Sequence, residues 1–464
     1  MKLYSENKNY KLYQGNMLDM LEAIEPNSID SIVTDPPYEL NFMGKGWDNA
    51  GVSFNANTWK QCYEALKPGG YLLAFGGSRT YHRIAVAIED AGFEIRDTIM
   101  WLYGSGFPKS MNIGLAIDKK NGVEIKSSYI PNDKNNVYGN KFGGGKTDNT
   151  LKAQNEWQGW GTALKPSFEP IIIARKPFKG SLVDNVIENG VGGINIDECR
   201  VETSDKYSYP NGGGGSSFGI GRGVDGTRTT PTESNPLGRF PANTILTYDE
   251  TDFEEVCGGF PNTKSVRSAR GGSHNSKSDI YGGFLKNEDY NGYECGFNDS
   301  GSASRYFYCA KASKKDRDEG LDNFETKGAK ELLNREENSD GASWNGKYSS
   351  GNAYAGSGVP KKNTHPTVKP TELMQYLVRL VTPNGGIVLD PFNGSGSTGK
   401  AVMYENKERN KDYKYIGIEL TEEYLPIAQA RIEFVCGKEE KTEDNQITIY
   451  DYDDIRFWGV IWKT

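Results

Sequence analysis

The 464-residue chain has few of the residues that build metal sites or disulfide frameworks. It contains three widely separated histidines and six cysteines, and no two cysteines form a CxxC pair. This usage favours a reducing compartment, and we expect a cytoplasmic protein with no structural disulfide and no metal site. The cysteines are Cys62, Cys199, Cys257, Cys295, Cys309 and Cys436.

Long apolar runs are also missing from the chain. No stretch of about 18 apolar residues occurs, so no membrane span is expected. The first residues, MKLYSENKNYKLYQ, are polar and do not resemble an apolar signal region. The apolar fraction is only 36 % and there are 56 glycines, which indicates long irregular segments beside a proper core.

Positive charge is in short supply, and the formal net charge of −8 argues weakly against a nucleic-acid partner. The deficit is uneven, because residues 111–364 carry 32 Lys and Arg against 33 Asp and Glu. This nearly neutral middle region can still present a basic face to phosphates. Its basic clusters are Arg175, Lys176 and Lys179; Lys264, Arg267 and Arg270; and Lys311, Lys314, Lys315 and Arg317.

Strand and helix patterns alternate at both ends of the chain. Near the N-terminus, strand-like YKLYQGN, IDSIVT, GGYLLAFGG and FEIRDTIMWL are separated by helical segments such as NANTWKQCYEAL. The alternation resumes after residue 365 with TELMQYLVRLV, GGIVLDPF, YKYIGIEL and TEEYLPIAQARIEFV. The pattern predicts an α/β fold with a doubly wound, mostly parallel sheet, as in Rossmann-like domains.

The middle of the chain breaks this alternation, since 37 of the 56 glycines lie between residues 111 and 364. FEPIIIARKPF (168–178) is predicted as a strand that returns to the sheet, and VIENGVGGINIDECRV and GRFPANTILT as short strand units. We therefore expect one domain formed from residues 1–110 and 365–436, a loop-rich insertion at 111–364, and a tail at 437–464 without an assigned role.

The predicted strand NSIDSIVT runs directly into Asp35, Pro36, Pro37 and Tyr38. Prolines cannot donate to a β-ladder, so the strand ends there. Taken alone, this stretch is also compatible with an ordinary turn. A functional interpretation needs a companion motif elsewhere.

The companion is IVLDPFNGSGSTGKA, where a second strand ends at Asp390 and a glycine loop opens a helix. Gly394 and Gly396 allow a ligand to approach the backbone, and the helix N-terminus adds partial positive charge. The next strand, YIGIEL, ends in Glu419, at a distance along the chain that suits contact with two ribose hydroxyls.

The same loop fits a rival pattern, the phosphate-binding GxxxxGK. In that pattern a Ser or Thr follows the lysine and holds magnesium, whereas Ala401 follows Lys400 here. A phosphate-loop NTPase is therefore a remote alternative.

Three motifs in one order, DPPY (35–38), HPTVKP (365–370) and LDPFNGSGSTG (389–399), resemble the DNA amino-methyltransferases that use S-adenosylmethionine. Their order is similar to that of the β class. The resemblance covers about residues 10–110 and 365–435 and extends more loosely through SRYFYCAKASKKDR (304–317). It implies S-adenosylmethionine as the cofactor, double-stranded DNA as the partner and target recognition in the middle region. Related enzymes often pair, so a homodimer is an open prediction.

The resemblance also implies roles for the residues around the glycine loop. Gly394, Ser395 and Gly396 would wrap the methionine part of the cofactor, with Asp390 and Phe392 at the edge of its pocket.

Three further residues would contact the cofactor. Glu419 would hold the ribose, and Lys369 would lie near the methionine carboxylate. Asn16 stands where the family usually has an aspartate that accepts from the adenine amino group. Its amide oxygen can still accept, but it brings no charge.

The DPPY motif suits methylation of an amino group. An exocyclic amino nitrogen is a poor nucleophile, because its lone pair is delocalised into the ring. The Asp35 carboxylate and the Pro36 carbonyl, held rigid by Pro37, can accept its two hydrogens and direct the lone pair at the methyl group. Tyr38 can stack on a base flipped out of the duplex. No cysteine lies near the motif, which disfavours carbon-5 methylation.

In the family that the chain resembles, DPPY occurs mostly with adenine-N6 and SPPY mostly with cytosine-N4. We therefore expect an adenine-N6 methyltransferase, with cytosine-N4 methylation on the same scaffold as the alternative. A catalytically idle DNA-binding module is a further alternative. Trp157, Trp160 and Tyr306 are aromatic candidates for the DNA face, although core packing is the expected role for each.

Overall fold

The computed structural model describes residues 2–40, 50–103, 110–123, 153–202, 237–248, 307–311, 314–326 and 362–437, with Ser304 and the short segments 208–209, 232–233, 262–264, 268–269, 294–295 and 300–302. These residues fall into two compact units. The second unit comprises the described residues 110–123 and 153–167, and the first comprises all the other described residues.

A ten-stranded sheet forms the framework of the first unit. In chain order its strands are β1 (Lys2–Glu6), β2 (Tyr10–Gln14), β3 (Ile29–Thr34), β4 (Leu66–Phe75), β5 (Glu94–Tyr103), β6 (Phe168–Arg175), β7 (Thr244–Tyr248), β8 (Tyr308–Lys311), β9 (Ile387–Asp390) and β10 (Lys414–Glu419). Their order across the sheet is β1-β2-β10-β9-β3-β4-β6-β5-β7-β8. Three two-stranded ladders lie outside it, within residues 208–302.

Six of the nine strand pairings are parallel, and the antiparallel pairings involve only β1 and β6. The predicted mostly parallel, doubly wound sheet is therefore confirmed. The strand predicted at residues 168–178 returns to the sheet as β6, between β4 and β5. The sheet thus takes three of its strands from the middle of the chain, while the domain limits drawn at 110 and 364 stay a prediction.

The described helices are α1 (Met17–Leu21), α2 (Ala56–Ala65), α3 (Tyr81–Asp90), α4 (Ile113–Lys120), α5 (Leu182–Asn189), α6 (Lys314–Asp318), α7 (Thr371–Val381), α8 (Ser397–Arg409) and α9 (Leu425–Cys436). Side-chain caps begin several of them: Asn16 accepts from the Leu18 amide in α1, and Asn55 accepts from the Asn57 amide in α2. Among the described helices, none has the length and apolar character to cross a membrane.

Two apolar clusters cover the two faces of the sheet. Side chains alternate between the faces along a strand, so Val33 packs in the cluster that contains α7, α8 and α9. Its neighbour Ile32 packs in the cluster that contains α1, α2 and α3. All six residues of β3 are buried, which fixes the position at which the chain leaves the sheet and enters DPPY.

The prediction of strands in VIENGVGGINIDECRV was wrong: its first residues belong to α5, residues 197–199 form a short 3-10 helix, and Val201 makes only an isolated bridge with Arg239. The Ser181 side chain accepts from the Asp184 amide at the start of α5, and Gly190 ends it with φ 73°. Both cap signals are present in the sequence.

The second unit is described through α4 and residues 153–167. Asp118 is buried in α4 and accepts from the Gln154 amide and the Asn155 side chain. The expected core packing of Trp157 and Trp160 was wrong, because they are 40 % and 59 % exposed and meet edge to face at 5.2 Å. Tyr306 lies outside the described residues.

Candidate active site

One edge of the sheet collects most of the residues that the sequence singled out. Eight strands run in one direction, so their carboxyl ends meet at that edge, where ligands bind in open α/β sheets. There β3 leads into Asp35, β9 ends at Asp390 and β10 ends at Glu419. The antiparallel β6 begins at the same edge, which adds Glu169 to the set, opposite Trp101 of β5.

Asp35 has two oxygens in different situations. Its Oδ2 accepts from the Lys369 ammonium at 2.6 Å. Its Oδ1 is buried and accepts no hydrogen bond among the residues that the structure describes, because the neighbouring Tyr38 donates its one hydroxyl hydrogen to Glu169 instead. A buried acceptor without a donor is costly, so this oxygen is ready to accept from an incoming group.

Lys369 lies between two carboxylates and is only 6 % exposed. Besides the ion pair with Asp35, its ammonium is 3.5 Å from Oε2 of Glu169. The ring centroids of Phe75, Tyr38 and Trp101 are 5.0, 5.3 and 6.0 Å from the same nitrogen. Ion pairing and cation–π attraction therefore both stabilise the buried charge.

Tyr38 is hydrogen-bonded to Glu169, the second carboxylate beside Lys369. Its hydroxyl donates to Oε2 of Glu169 at 2.8 Å, and the hydroxyl of Tyr103 donates to Oε1 at 3.2 Å. Burial raises the pKa of Tyr38 well above its ordinary value, with Asp35 and Glu169 adding to the effect, so the phenol stays protonated. Burial also raises the pKa of Asp35, an effect that Lys369 opposes and Glu169 reinforces.

Glu169 and Tyr103 were not predicted as site residues from the sequence. Glu169 is the charged residue that opens the apolar strand FEPIIIAR, and Tyr103 ends β5. The available signal was a carboxylate at the start of a strand, but its meaning depends on the strand running antiparallel to its neighbours.

Asp390 lies inside the protein rather than on an open rim, at 2 % exposure. Its oxygens accept from Thr34 at 2.6 Å, from Thr398 at 2.7 Å and from the Phe392 amide at 3.1 Å. Asp390 therefore links the end of β3, next to Asp35, to the first turn of α8. Burial raises its pKa to about 6.

The glycine loop is shaped by its protein neighbours. Gly394 and Gly396 have φ values of 52° and 74°, which favour glycine. A Cβ on Gly396 would lie 2.9 Å from the Ala428 Cα in α9, and one on Gly394 would lie 2.9 Å from Nε2 of His365. These contacts account for both glycines without a ligand, whereas the sequence analysis explained them by ligand approach.

Ser395 is almost fully buried, and Arg431 donates to its hydroxyl at 3.0 Å and to its carbonyl at 2.8 Å. Phe392 packs against Trp59 with ring centroids 6.3 Å apart. The loop is thus built in place before any ligand arrives, and the contacts predicted for it with the cofactor stay predictions.

Glu419 accepts the Gly394 amide at 2.7 Å and the Thr421 amide at 2.7 Å, one on each carboxylate oxygen. Each oxygen keeps a lone pair for a further donor such as a ribose hydroxyl. The Gly15 amide donates to the Glu419 carbonyl at 3.0 Å, which brings the neighbouring Asn16 to the same corner. These residues fit a nucleoside, and the ribose and adenine contacts stay predictions.

The phosphate-loop alternative does not agree with the position of Lys400. That ammonium is fully buried and pairs with Asp316 at 2.6 Å and Glu319 at 2.8 Å. It therefore serves two carboxylates next to α6 rather than a phosphate. Within the described part of the chain, no group of His, Cys, Asp and Glu is arranged to hold a metal ion.

The basic clusters are only partly available for DNA. Lys176 is buried and donates to Asn27 and to the carbonyls of Tyr63 and Leu66, so it serves the fold. Arg175 pairs with Glu94 across the sheet. In the last cluster, Arg317 donates to the Asn363 and His365 carbonyls. The cluster from 264 to 270 has no described side chains.

Comparison with known proteins gives a clear family match. The sequence model of the DNA methylase family (N6_N4_Mtase) matches residues 29–192 and 241–430. The type II methyltransferase M.HindIII of Haemophilus influenzae is 24 % identical over 229 residues, which cover 40 % of this chain and 64 % of that protein. M2.LlaDCHI of Lactococcus lactis subsp. cremoris is 26 % identical over 224 residues, 42 % of this chain and 82 % of that protein.

Solved structures give a weaker likeness. A putative DNA modification methylase from Thermus thermophilus, complexed with S-adenosylmethionine, aligns with a TM-score of 0.33 and 14 % identity. The alignment covers 93 % of this chain and 97 % of that one. A TM-score this low adds nothing to the argument, which depends on the family match and on the geometry above.

Proposed function

We propose that this chain, which belongs to the DNA methylase family of N6/N4 amino-methyltransferases, methylates the N6 amino group of adenine in double-stranded DNA. Members of the family use S-adenosylmethionine, which supplies a methyl group on a positively charged sulfur. The observation that carries the proposal is the buried, unpartnered Oδ1 of Asp35 beside Tyr38.

In the proposed reaction, Asp35 Oδ1 accepts one hydrogen of the target amino group and the Pro36 carbonyl accepts the other. The nitrogen lone pair then attacks the methyl carbon, a bond from nitrogen to carbon forms, and the bond from carbon to sulfur breaks. The surplus proton leaves the nitrogen for Asp35 or water. Carboxylate charge next to the amino group favours the positive charge that develops on nitrogen.

Hydrogen bonds from Ser53 hold the backbone next to the Pro36 carbonyl. Ser53 donates its hydroxyl to the Pro37 carbonyl and also to Glu39, so the segment after DPPY is held from the short helix at residues 52–54. A fixed backbone keeps the proposed acceptor at Pro36 from turning away. Tyr38 is the proposed stacking surface for the flipped base.

The proposed cofactor site lies at the adjacent strand ends. We propose that Glu419 binds the ribose, Asn16 the adenine and residues 394–396 the methionine part of the cofactor. Asp390 and Phe392 would hold the loop 394–396 in position. The choice of adenine over cytosine depends on Asp at the first position of DPPY. Pairing of two copies stays a prediction.

The test is to incubate the protein with S-adenosylmethionine and duplex DNA of mixed sequence, digest the DNA and weigh the nucleosides by mass spectrometry. We expect N6-methyladenine from the wild type and a loss of about 100-fold or more in Asp35→Asn. Glu94→Gln, an ion-paired carboxylate on the distant part of the sheet, is the control and should methylate normally.

The other outcomes each have a definite meaning. N4-methylcytosine would refute the choice of base but keep the amino-methyltransferase mechanism. No methylated base on duplex DNA, with cofactor binding intact, would refute the proposal of a DNA substrate.

A further inference from the structure

Glu169 is a charged residue of the active site that the proposed reaction leaves without a task. It stands at the beginning of the antiparallel strand β6, and its carboxylate is 20 % exposed. It touches two residues of the proposed machinery, accepting from the Tyr38 hydroxyl at 2.8 Å and lying 3.5 Å from the Lys369 ammonium.

We propose that Glu169 is a positioning residue for methyl transfer: it fixes the ring of Tyr38 and shares Lys369 with Asp35, so that Asp35 presents its free oxygen to the target amino group. The inference rests on the proposed function, since it names the residues that orient its reacting carboxylate. It also gives Lys369 a different role from contact with the cofactor's carboxylate.

The position of Lys369 supports this assignment. One ammonium with three donors faces two carboxylates, with 2.6 Å to Asp35 and 3.5 Å to Glu169. The aromatic rings of Phe75 and Trp101 cover it from other directions. Held in this way, Lys369 donates to Oδ2 of Asp35 and leaves Oδ1 without a donor.

The position of Tyr38 supports it from the other side. A hydrogen bond to its hydroxyl restricts the orientation of a tyrosine ring, and here the Tyr38 hydroxyl donates to Oε2 of Glu169. The ring also lies close to Gly77, where a Cβ would be 3.2 Å from Tyr38 Cδ2. Tyr103 donates to the other oxygen of Glu169, so the carboxylate cannot swing freely.

The experiment compares Glu169→Gln with Glu94→Gln, which removes a carboxylate at the opposite end of the pairing between β5 and β6. Gln keeps the shape of Glu169 but removes its charge. We expect kcat/KM for DNA to fall by about 100-fold, as for a misplacement of about 1 Å at the reacting groups, with little change in cofactor affinity.

The pH dependence of kcat/KM separates the proposed role of Glu169 from a merely structural one, which would leave the acid limb unchanged. Four titratable groups face Asp35 in the described structure: Lys369, Glu169, Tyr38 and, behind Thr34, Asp390. Glu169 is one of the charges that raise the pKa of Asp35, so removing its negative charge lowers that pKa, and the acid limb of kcat/KM should move to lower pH.

Lys369→Met should move the same limb to higher pH, because Asp35 loses its cation. Burial also raises the pKa of Asp390, to about 6, so Asp390→Asn is measured alongside to show how much of the acid limb comes from Asp390. Decarboxylated S-adenosylmethionine tests the rival role of Lys369. If Lys369 served the cofactor's carboxylate, Lys369→Met would weaken S-adenosylmethionine binding but not binding of the decarboxylated analogue.

A second measurement does not depend on activity. Protein carrying 13C-labelled aspartate reports the pKa of Asp35 by NMR, with the signal assigned by its loss in Asp35→Asn. A lower Asp35 pKa in Glu169→Gln and an unchanged one in Glu94→Gln would support the proposal. An unchanged Asp35 pKa in both, or equal activity of both variants, would overturn it. A wild type that methylates no DNA base would refute the proposed function, while the NMR titration would still decide the role of Glu169.

Discussion

Gly396 gives a sharp test of how the glycine loop is built. Its φ of 74° is a left-handed conformation, which costs an alanine about 1–2 kcal/mol. An added Cβ would also lie 2.9 Å from the Ala428 Cα, which belongs to the backbone of α9 and cannot turn aside. Overpacking of this kind costs about 1–3 kcal/mol. The reduced entropy of the unfolded chain offsets about 0.4–1 kcal/mol of this sum, so we expect Gly396→Ala to lower the free energy of unfolding by about 2–4 kcal/mol.

The matched control is Gly190→Ala at the end of α5. Gly190 has nearly the same φ, 73°, but no described atom lies within 4 Å of an added Cβ. It therefore carries the conformational cost without the contact, and part of that cost is offset by the reduced entropy of the unfolded chain. We expect a loss of about 1 kcal/mol, measured by urea unfolding of both variants under one set of conditions.

Equal losses in the two variants would refute the packing argument, because the backbone conformation alone would then explain both. A partial rescue adds a second check. Ala428→Gly removes the Cβ that would lie 3.0 Å from the new methyl group, but leaves the Cα in place. In the Ala428→Gly background, Gly396→Ala should therefore lower the free energy of unfolding by less than in the wild type, but the loss should not disappear.

Two further predictions concern buried charges. Burial raises the pKa of Asp390 from 3.8 to about 6, so its ionisation should destabilise the fold by about 3 kcal/mol as the pH rises from about 4 to about 6. Because Asn does not titrate, the stability of the wild type relative to Asp390→Asn should fall across that window in urea titrations, and a constant difference would contradict the assignment. Lys400→Met removes the buried cation that pairs with Asp316 and Glu319, although Arg431 stays 3.9 Å from Asp316, and should cost about 3 kcal/mol. A loss below about 1 kcal/mol would show that these ion pairs contribute little to stability.

The regular part of the fold could be predicted from the sequence because its signals are local. The alternation of strand and helix patterns in residues 10–103 and 371–436 reflects side chains that face one side of a strand or helix, and each predicted element there is present. The prediction failed at VIEN, which was predicted as part of a strand although it ends α5. The helix caps at Ser181 and Gly190 outweighed the strand preference of its β-branched residues.

Some residues of the candidate site could be predicted from local sequence patterns, and others could not. Asp35, Asp390 and Glu419 could be found because each lies at the carboxyl end of a buried strand, and the carboxyl ends of parallel strands share one edge of the sheet.

Glu169 could not be found by that rule, since it begins its strand. Only the reversal of β6 between two strands of the opposite direction places it beside Tyr38 and Lys369. The direction of a strand depends on the chain that precedes it, and here that is the stretch from residue 104 to 167, for which the sequence shows no periodic pattern. A carboxylate at the start of an apolar strand is therefore an active-site candidate whenever that strand is inserted antiparallel into an otherwise parallel sheet.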